Sequence, residues 1–183
     1  MDRAVAAGDV RIRVERTEDR DAVAAVVAAA FGSRAEADLV EAIRSSPEYI
    51  AELSLVAEGD GGIVGHVMVS HAELHRGDVR HRIFSLAPLA VAPSRQGQGI
   101  GSALVKAVTA AARKMGAAFV VLQGDPRFYG RLGFEPCAPL GIAMELPPWA
   151  PPEAEQILIL GDYDRSLCGR VVYPAAFDAV TDP

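Results

Sequence analysis

Cysteine is scarce in this chain: Cys137 and Cys168 are the two it has, and their spacing matches no zinc or redox motif. A disulfide-stapled framework is excluded, and both thiols are expected to be reduced and structural. Long apolar runs are missing too. The Ala/Val-rich stretches 22–31 and 103–112 are broken by charge or too short to cross a bilayer. No N-terminal stretch combines basic residues, an apolar run and a cleavage site. Basic residues are outnumbered, with 18 Lys and Arg against 24 Asp and Glu and a net charge of −6. That balance argues against a nucleic-acid partner and against an anionic membrane. The expectation is a cytoplasmic protein whose 183 residues suffice for one domain with a sizeable core.

What is present is a mixed pattern of elements. Residues 10–15 alternate apolar and charged, as a half-buried strand does. Thr17 offers an N-cap to a helix over 18–31, which Gly32 stops, and Ser33 opens a second helix to Arg44. Residues 53–58, the turn Asp60-Gly61-Gly62 and residues 63–70 spell a hairpin. A polar turn over 75–82 follows, then a strand over 83–91. Pro88 lies inside that strand, and because proline cannot donate to a ladder it predicts a bulge or a gap in pairing. A helix after Gly101 ends near Gly116. The wholly apolar 119–122 reads as a strand covered on both faces, and 126–132 as a short helix closed by Gly133. Strands over 141–146 and 156–160 flank a Pro-Pro-Trp-Ala-Pro-Pro segment, and one extended piece follows at 170–173. The order βααβββαβαββ is α+β, with a mixed, mostly antiparallel sheet of about seven strands flanked by helices. The step from Val91 to Phe119 is its one parallel βαβ unit.

The sharpest local feature is Gln96-Gly97-Gln98-Gly99-Ile100-Gly101-Ser102, a glycine-rich loop that opens a helix. Backbone N–H groups with little side-chain cover at a helix start form an anion site, above all for phosphate. Alternate glycines lower folded stability, so a ligandless turn is a poor account of them. No Gly-Lys-Ser/Thr follows, which removes the P-loop. Gly97-x-Gly99-x-x-Ser102 nearly matches a dinucleotide fingerprint, with Asp125 downstream at an acceptable spacing. Against it, Gly97 lies four positions beyond Pro93 rather than at the strand's end, and the repeated βα units of a doubly wound sheet are absent.

The run Leu89-Ala90-Val91-x-Pro93-x-x-Gln96-Gly97-Gln98-Gly99-Ile100-Gly101-Ser102 resembles the acetyl-CoA signature of the GCN5-related N-acetyltransferases (GNAT). Phe128-Tyr129-Gly130-Arg131-Leu132-Gly133-Phe134 resembles that family's Y-x-x-x-G-F segment. The Gly124-Asp125-Pro126 run and the late Gly169-x-Val171-x-Tyr173-Pro174-x-Ala176-Phe177 are similar to a group of predicted bacterial acetyltransferases. The resemblance covers 10–160 and implies a GNAT domain over 1–160, with 161–183 as an extension packed on it. It implies acetyl-CoA as co-substrate, with no metal. Two parallel strands would splay around the pantetheine, Leu89, Ala90 and Val91 would offer backbone to it, and an N–H among them would polarise the thioester carbonyl. Gln96, Gly97, Gln98, Gly99, Ile100, Gly101 and Ser102 would hold the pyrophosphate, and Tyr129 would donate a proton to the leaving sulfur. The implied reaction is acetyl transfer to a primary amine of a small molecule or of a protein, by direct attack in a ternary complex. A non-catalytic acyl-CoA-binding module and a nicotinamide-dependent oxidoreductase are the alternatives.

The general base is not legible. His66, His71, His75 and His81 crowd one region, but strand alternation turns His66 and His71 to opposite faces, so surface histidines on a hairpin are expected rather than zinc ligands. His71, Glu73 and His75 would share a face if their strand runs on. Asp125 reads as a helix cap. The acidic balance points to a cationic acceptor. Trp149 is expected to pack, with a lid over the acceptor or a homodimer contact as alternatives.

Overall fold

Alternating side chains divide the central strands between two faces. In β3 (Ser54–Gly59), Leu55 and Ala57 enter one apolar cluster and Val56 another. In β4 (Gly62–Arg76), Val67 and Val69 join the first cluster and Met68 the second. This is the period-2 geometry of a sheet covered on both sides. The computed structural model describes residues 6–7 and 9–178. Its strands run in the order β1 (Ala6–Ala7), β2 (Val10–Val14), β3, β4, β5 (Val79–Val91), β6 (Phe119–Gln123), β9 (Glu155–Ile159), β7 (Glu135–Pro136). Off that path, β10 (Gly169–Val172) pairs with the outer end of β4, and β8 (Ile142–Ala143) pairs with β10.

Helices α1 (Arg20–Phe31) and α2 (Ala35–Arg44) cover the Met68 face through Val23, Val27, Leu39, Val40 and Ile43. Helix α3 (Ile100–Lys114) covers the other face, burying Leu104, Val105, Val108 and Ala112 at helical spacing. Each fully buried leucine or valine of this kind contributes about 1.5–3 kcal/mol relative to exposure. A third cluster continues the Met68 face outward through Leu74, Ile83, Phe119, Val121 and Ile157. Gly65 on β4 sets how closely α3 lies: a Cβ there would come 3.0 Å from Leu104, 3.2 Å from the Ala90 carbonyl oxygen and 3.4 Å from Ile100.

The structure matches the α+β order and the mostly antiparallel sheet. Seven strands have four or more residues, and β1, β7 and β8 have two each. Several local expectations are corrected. Residues 75–82 are not a turn: β4 and β5 form one long hairpin paired down to Arg76 and Val79, so only Gly77 and Asp78 lie between them. Cross-strand pairing with β5, and with β10 over Glu73–His75, holds those polar residues extended. Thr17 does not cap α1. Residues Thr17–Asp19 form a 3-10 turn, and the Asp19 carboxylate takes the Arg16 N–H at 2.7 Å. The strand expected over 141–146 shrinks to Ile142–Ala143, and β8 with β10 adds a second parallel contact. Of the 161–183 extension, residues 179–183 lie outside the described residues; β10 lies within it, and Phe177 packs against the α1–α2 cluster.

Candidate active site

The site begins where β5 and β6 part. They pair in parallel at Phe84↔Val120 and Ser85↔Val121 and nowhere beyond. Past that point β5 follows β4 through Val67↔Leu89, His66↔Ala90 and Gly65↔Val91, while β6 follows β9 through Leu122↔Gln156 and Gln123↔Glu155. Each strand keeps its outer partner and leaves its inner edge open. The bulge expected at Pro88 is present: Val67 pairs with Leu89 and Val69 with Leu86, so Ala87 and Pro88 together face Met68. The Ala87–Pro88 peptide is cis.

Ladder parity decides which backbone groups face the gap. Ala92 N–H donates to the Val64 carbonyl at 2.9 Å, so alternation assigns the Ala90 amide to β4 and turns those of Leu89 and Val91 to the open side. The side chains of Leu89 and Val91 stand next to Gly101, whereas Ala90 is buried in the α1–α2 cluster. Of the three residues expected to meet a pantetheine arm, two present backbone to the gap.

The loop after β5 bends back on itself. Pro93–Arg95 form a 3-10 turn, and the Gln96 amide donates to the Val91 carbonyl at 3.1 Å. Gln98 accepts from Arg95 Nε at 3.0 Å and donates to the Ser94 carbonyl. Both glutamine side chains therefore hold the loop's shape and leave its backbone uncovered. Gly97 and Gly99 have φ of 75° and 82°, the left-handed region that favours glycine, and Gly99 is the N-cap of α3. Among the described residues, the N–H groups of Gly97 to Ser102 donate to no carbonyl or side chain; the first paired amide is Ala103, to Gly99 at 3.0 Å. That row of free donors at the positive end of a fifteen-residue helix is an anion cradle.

Across the gap, β6 runs through Gly124 into α4 (Pro126–Tyr129). Asp125 caps that helix, accepting the Arg127 N–H at 2.9 Å, and Arg127 holds its carboxyl below the usual value. The Tyr129 ring lies so close over the strand end that a Cβ on Gly124 would come 2.3 Å from its Cε2. Phe128 and Phe134 pack edge-on against it at 4.8 and 5.5 Å, and Phe128 also reaches Gly101. Gln156, 1% exposed, donates to the Gly124 carbonyl at 3.0 Å and pins the connection. Burial pushes the Tyr129 phenol up to about 12. The phenol thus stays protonated and has no hydrogen-bond partner among the described residues. The sequence reading assigned no site role to Gly124, Phe128 or Gln156; the Gly-Asp-Pro run and the Phe-Tyr-Gly motif were the signals for the first two, and Gln156 had none.

The other polar assembly is sealed. Glu15 receives Arg44 on one oxygen and the Ser54 hydroxyl on the other. His66 Nε2 lies 3.1 Å from Ser54 Oγ and 3.6 Å from Glu15 Oε2. Burial pushes the Glu15 carboxyl up, but hydrogen bonds from His66 and Ser54 outweigh it and leave the group below its ordinary value. Burial depresses His66 against the pull of Glu15. His66 is 0% exposed, so the expected surface histidine is a core one. Beside it Arg13 makes a two-pronged pair with Asp19, at 2.6 and 2.8 Å, and reaches Glu58 at 2.9 Å. His71, Glu73 and His75 do share a face, and Glu73 meets His75 at 2.6 Å. No group of three or more His, Cys, Asp or Glu among the described residues is arranged to hold a metal ion. Burial raises the Cys137 thiol to about 12, which keeps it unreactive. Trp149 does not pack on this chain; it is 83% exposed. No helix among the described residues is long and apolar enough to cross a membrane.

Comparison with known proteins converges on one family. The profile described as "Acetyltransferase (GNAT) domain" matches residues 51–136. The uncharacterized N-acetyltransferase YjhQ of Escherichia coli is 39% identical over 110 residues, which are 60% of this chain and 60% of that protein. The match thus spans less than two thirds of YjhQ. The uncharacterized N-acetyltransferase YhbS of the same organism is 37% identical over 125 residues, covering 68% of this chain and 72% of YhbS. The crystal structure of YhbS in complex with CoA superposes with a TM-score of 0.83 at 32% identity, covering 93% of this chain and 92% of that one. A GNAT family acetyltransferase from Brucella melitensis, crystallised with acetyl-CoA, gives 0.74 at 33% identity over 92% and 98% of the two chains. With the parted strands, the uncovered helix start and these relatives in agreement, the chain belongs to the GNAT family of acetyltransferases.

Proposed function

We propose that the protein transfers an acetyl group from acetyl-CoA to a primary amine, by direct attack of the amine within a ternary complex. The observation that carries this is the row of unpaired amides from Gly97 to Ser102 beside the gap between β5 and β6. The amides and the end of α3 bind the pyrophosphate, and the Leu89 and Val91 backbone receives the pantetheine. A gap-facing N–H of that pair polarises the thioester carbonyl and stabilises the oxyanion that forms on attack. Ser102 adds a hydroxyl at the phosphate end.

Tyr129 serves the leaving sulfur. Its phenol, raised to about 12 by burial, is a weaker acid than an ordinary phenol of about 10. Its role is a hydrogen bond that strengthens as charge grows on the sulfur and becomes proton transfer only as the C–S bond breaks. The extension through Asp178 works as part of the same unit, since β10 completes the edge of β4. The acceptor is a cationic amine in bulk water that loses a proton before attack. Thermal-shift measurement tests the donor: acetyl-CoA raises the Tm and NAD does not. Release of free CoA thiol across a panel of amines tests the chemistry. Stabilisation by acetyl-CoA without release from any amine would assign the non-catalytic binding module instead.

A further inference from the structure

The Met68 face holds polar groups that neither the donor site nor the sealed ion cluster uses. Ser70 and Ser85 are directly paired across β4 and β5, and they are 0% and 1% exposed. Neither hydroxyl has a hydrogen-bond partner among the described residues. A buried hydroxyl left unpaired is destabilising, and here two sit side by side. Their place is specific: Ser85 is the last β5 residue to pair with β6, so its side chain stands at the foot of the gap. On this face Ser85 shares parity with Ile83, Phe119 and Val121, opposite to the α3 face.

A third hydroxyl joins them from far along the chain. After β10, Tyr173 turns inward; its phenol reaches the Met144 sulfur at 3.4 Å, and its ring stacks at 4.8 Å on Phe177. Burial raises this phenol, with the adjacent Ser85 hydroxyl acting the other way and the Glu155 charge adding to the rise. It stays a neutral donor and acceptor. Glu155, whose carboxylate takes the Met144 N–H at 3.1 Å, is the nearby acid on this face. Tyr173 also lines an open cavity of about 250 Å³ with Glu48, His71 and Arg82.

We infer that Ser70, Ser85 and Tyr173 form the subsite for the acceptor amine, on the opposite side of the gap from the pyrophosphate cradle. The inference rests on the donor reading given above. The neutral amine donates one N–H to Ser85 Oγ while its nitrogen attacks the thioester carbonyl carbon. The N–C bond forms and the C–S bond breaks. The amine's surplus proton passes through the Ser85 and Tyr173 hydroxyls to solvent in the open cavity, and the departing thiolate takes one proton from Tyr129 or solvent. Amide and CoA thiol are the products. Glu48, His71 and Glu73 line the open cavity at the Tyr173 end, where the released proton leaves.

Ser85→Ala and Tyr173→Phe remove one hydroxyl each and almost no volume. Thiol release from acetyl-CoA would be followed with water alone and with benzylamine or putrescine as probe amines. Each variant should lose about tenfold or more in kcat, while the KM for acetyl-CoA and the Tm rise produced by CoA stay within twofold. The Tm of Ser85→Ala without ligand should be unchanged, because the hydroxyl removed makes no close hydrogen bond and neighbours only the Tyr173 phenol; a structural hydroxyl would lower it. Failure of CoA to raise the Tm of the unmodified protein overturns the donor reading and the subsite with it. A normal CoA response with both variants within twofold of the unmodified protein, for every nucleophile, overturns the subsite alone.

Discussion

Two polar assemblies flank the centre of the sheet, and they are built on opposite rules. The loop from Gln96 to Ser102 is made of backbone: its side chains fold back on themselves and its amides face outward unpaired. The Glu15–Arg44–Ser54–His66 cluster is made of side chains, and its charges are closed off, with Arg44 and Glu15 side chains 2% and 3% exposed. Free donors are tolerable in the first because water reaches them until an anion does. In the second each charge needs its partner, since a buried uncompensated ion is expensive. Open, solvent-facing donors suit a ligand; paired charge under cover holds structure, even though Arg44 Nε and His66 Nδ1 have no partner among the described residues.

The largest expected effect breaks the sealed side. Arg44→Ala leaves Glu15 without its cation and should cost about 3–5 kcal/mol, read by denaturant unfolding; a loss under 1 kcal/mol would show that water replaces the arginine. Next, Gly99→Val places a branched residue at φ 82° and covers the amide row. It should weaken acetyl-CoA about a hundredfold, around 2.7 kcal/mol, while the protein still folds; undiminished stabilisation by acetyl-CoA would remove the loop from the donor site. Tyr129→Phe comes third, with kcat down about tenfold and acetyl-CoA affinity kept; equal turnover would leave the sulfur to solvent.

The fourth prediction contrasts the assemblies through pH. His66 is held below its ordinary value of about 6.5, so below that pH the unfolded chain binds the additional proton and stability falls. Glu15, also depressed, adds a second loss below about 4.5. Melting curves at pH 7.5 and 5.5 should show a drop that shrinks in His66→Gln, and an identical drop would place the acid sensitivity elsewhere. The smallest effect is Trp149→Ala. With 83% of the residue exposed, stability should move by less than about 0.5 kcal/mol, and emission of this sole tryptophan should be fully quenchable by acrylamide.

The same contrast explains what the sequence made legible. A backbone site needs glycines at fixed offsets in one short stretch, so Gly97, Gly99 and Gly101 could be read directly, as could Pro88 as a bulge. The sealed cluster draws on positions 15, 44, 54 and 66, which share no local pattern, and nothing in the sequence connects them. His66 was misplaced for that reason: alternation told its face but not what covered it. Trp149 was misjudged in the opposite sense, since large aromatics are usually buried and the surrounding prolines gave no sign of projection. The hydroxyl pair Ser70–Ser85 depends on the register of a hairpin whose turn was drawn too wide, over 75–82 rather than Gly77–Asp78. Local chemistry was visible; chemistry assembled by pairing was not.

Gly65 carries a final consequence. In the proposed binding mode a ligand is gripped at its phosphate end by α3 and at its reactive end by β5, and works as a gauge comparing two surfaces whose separation is set elsewhere. Gly65 sets it, because its bare backbone is the seat on which Leu104 and Ile100 rest. A methyl group there would jack the helix up by a few tenths of an ångström, and the mismatch would surface at the far end of the gauge, where the carbonyl must meet its N–H. Tolerance at this residue is therefore a matter of alignment rather than of room.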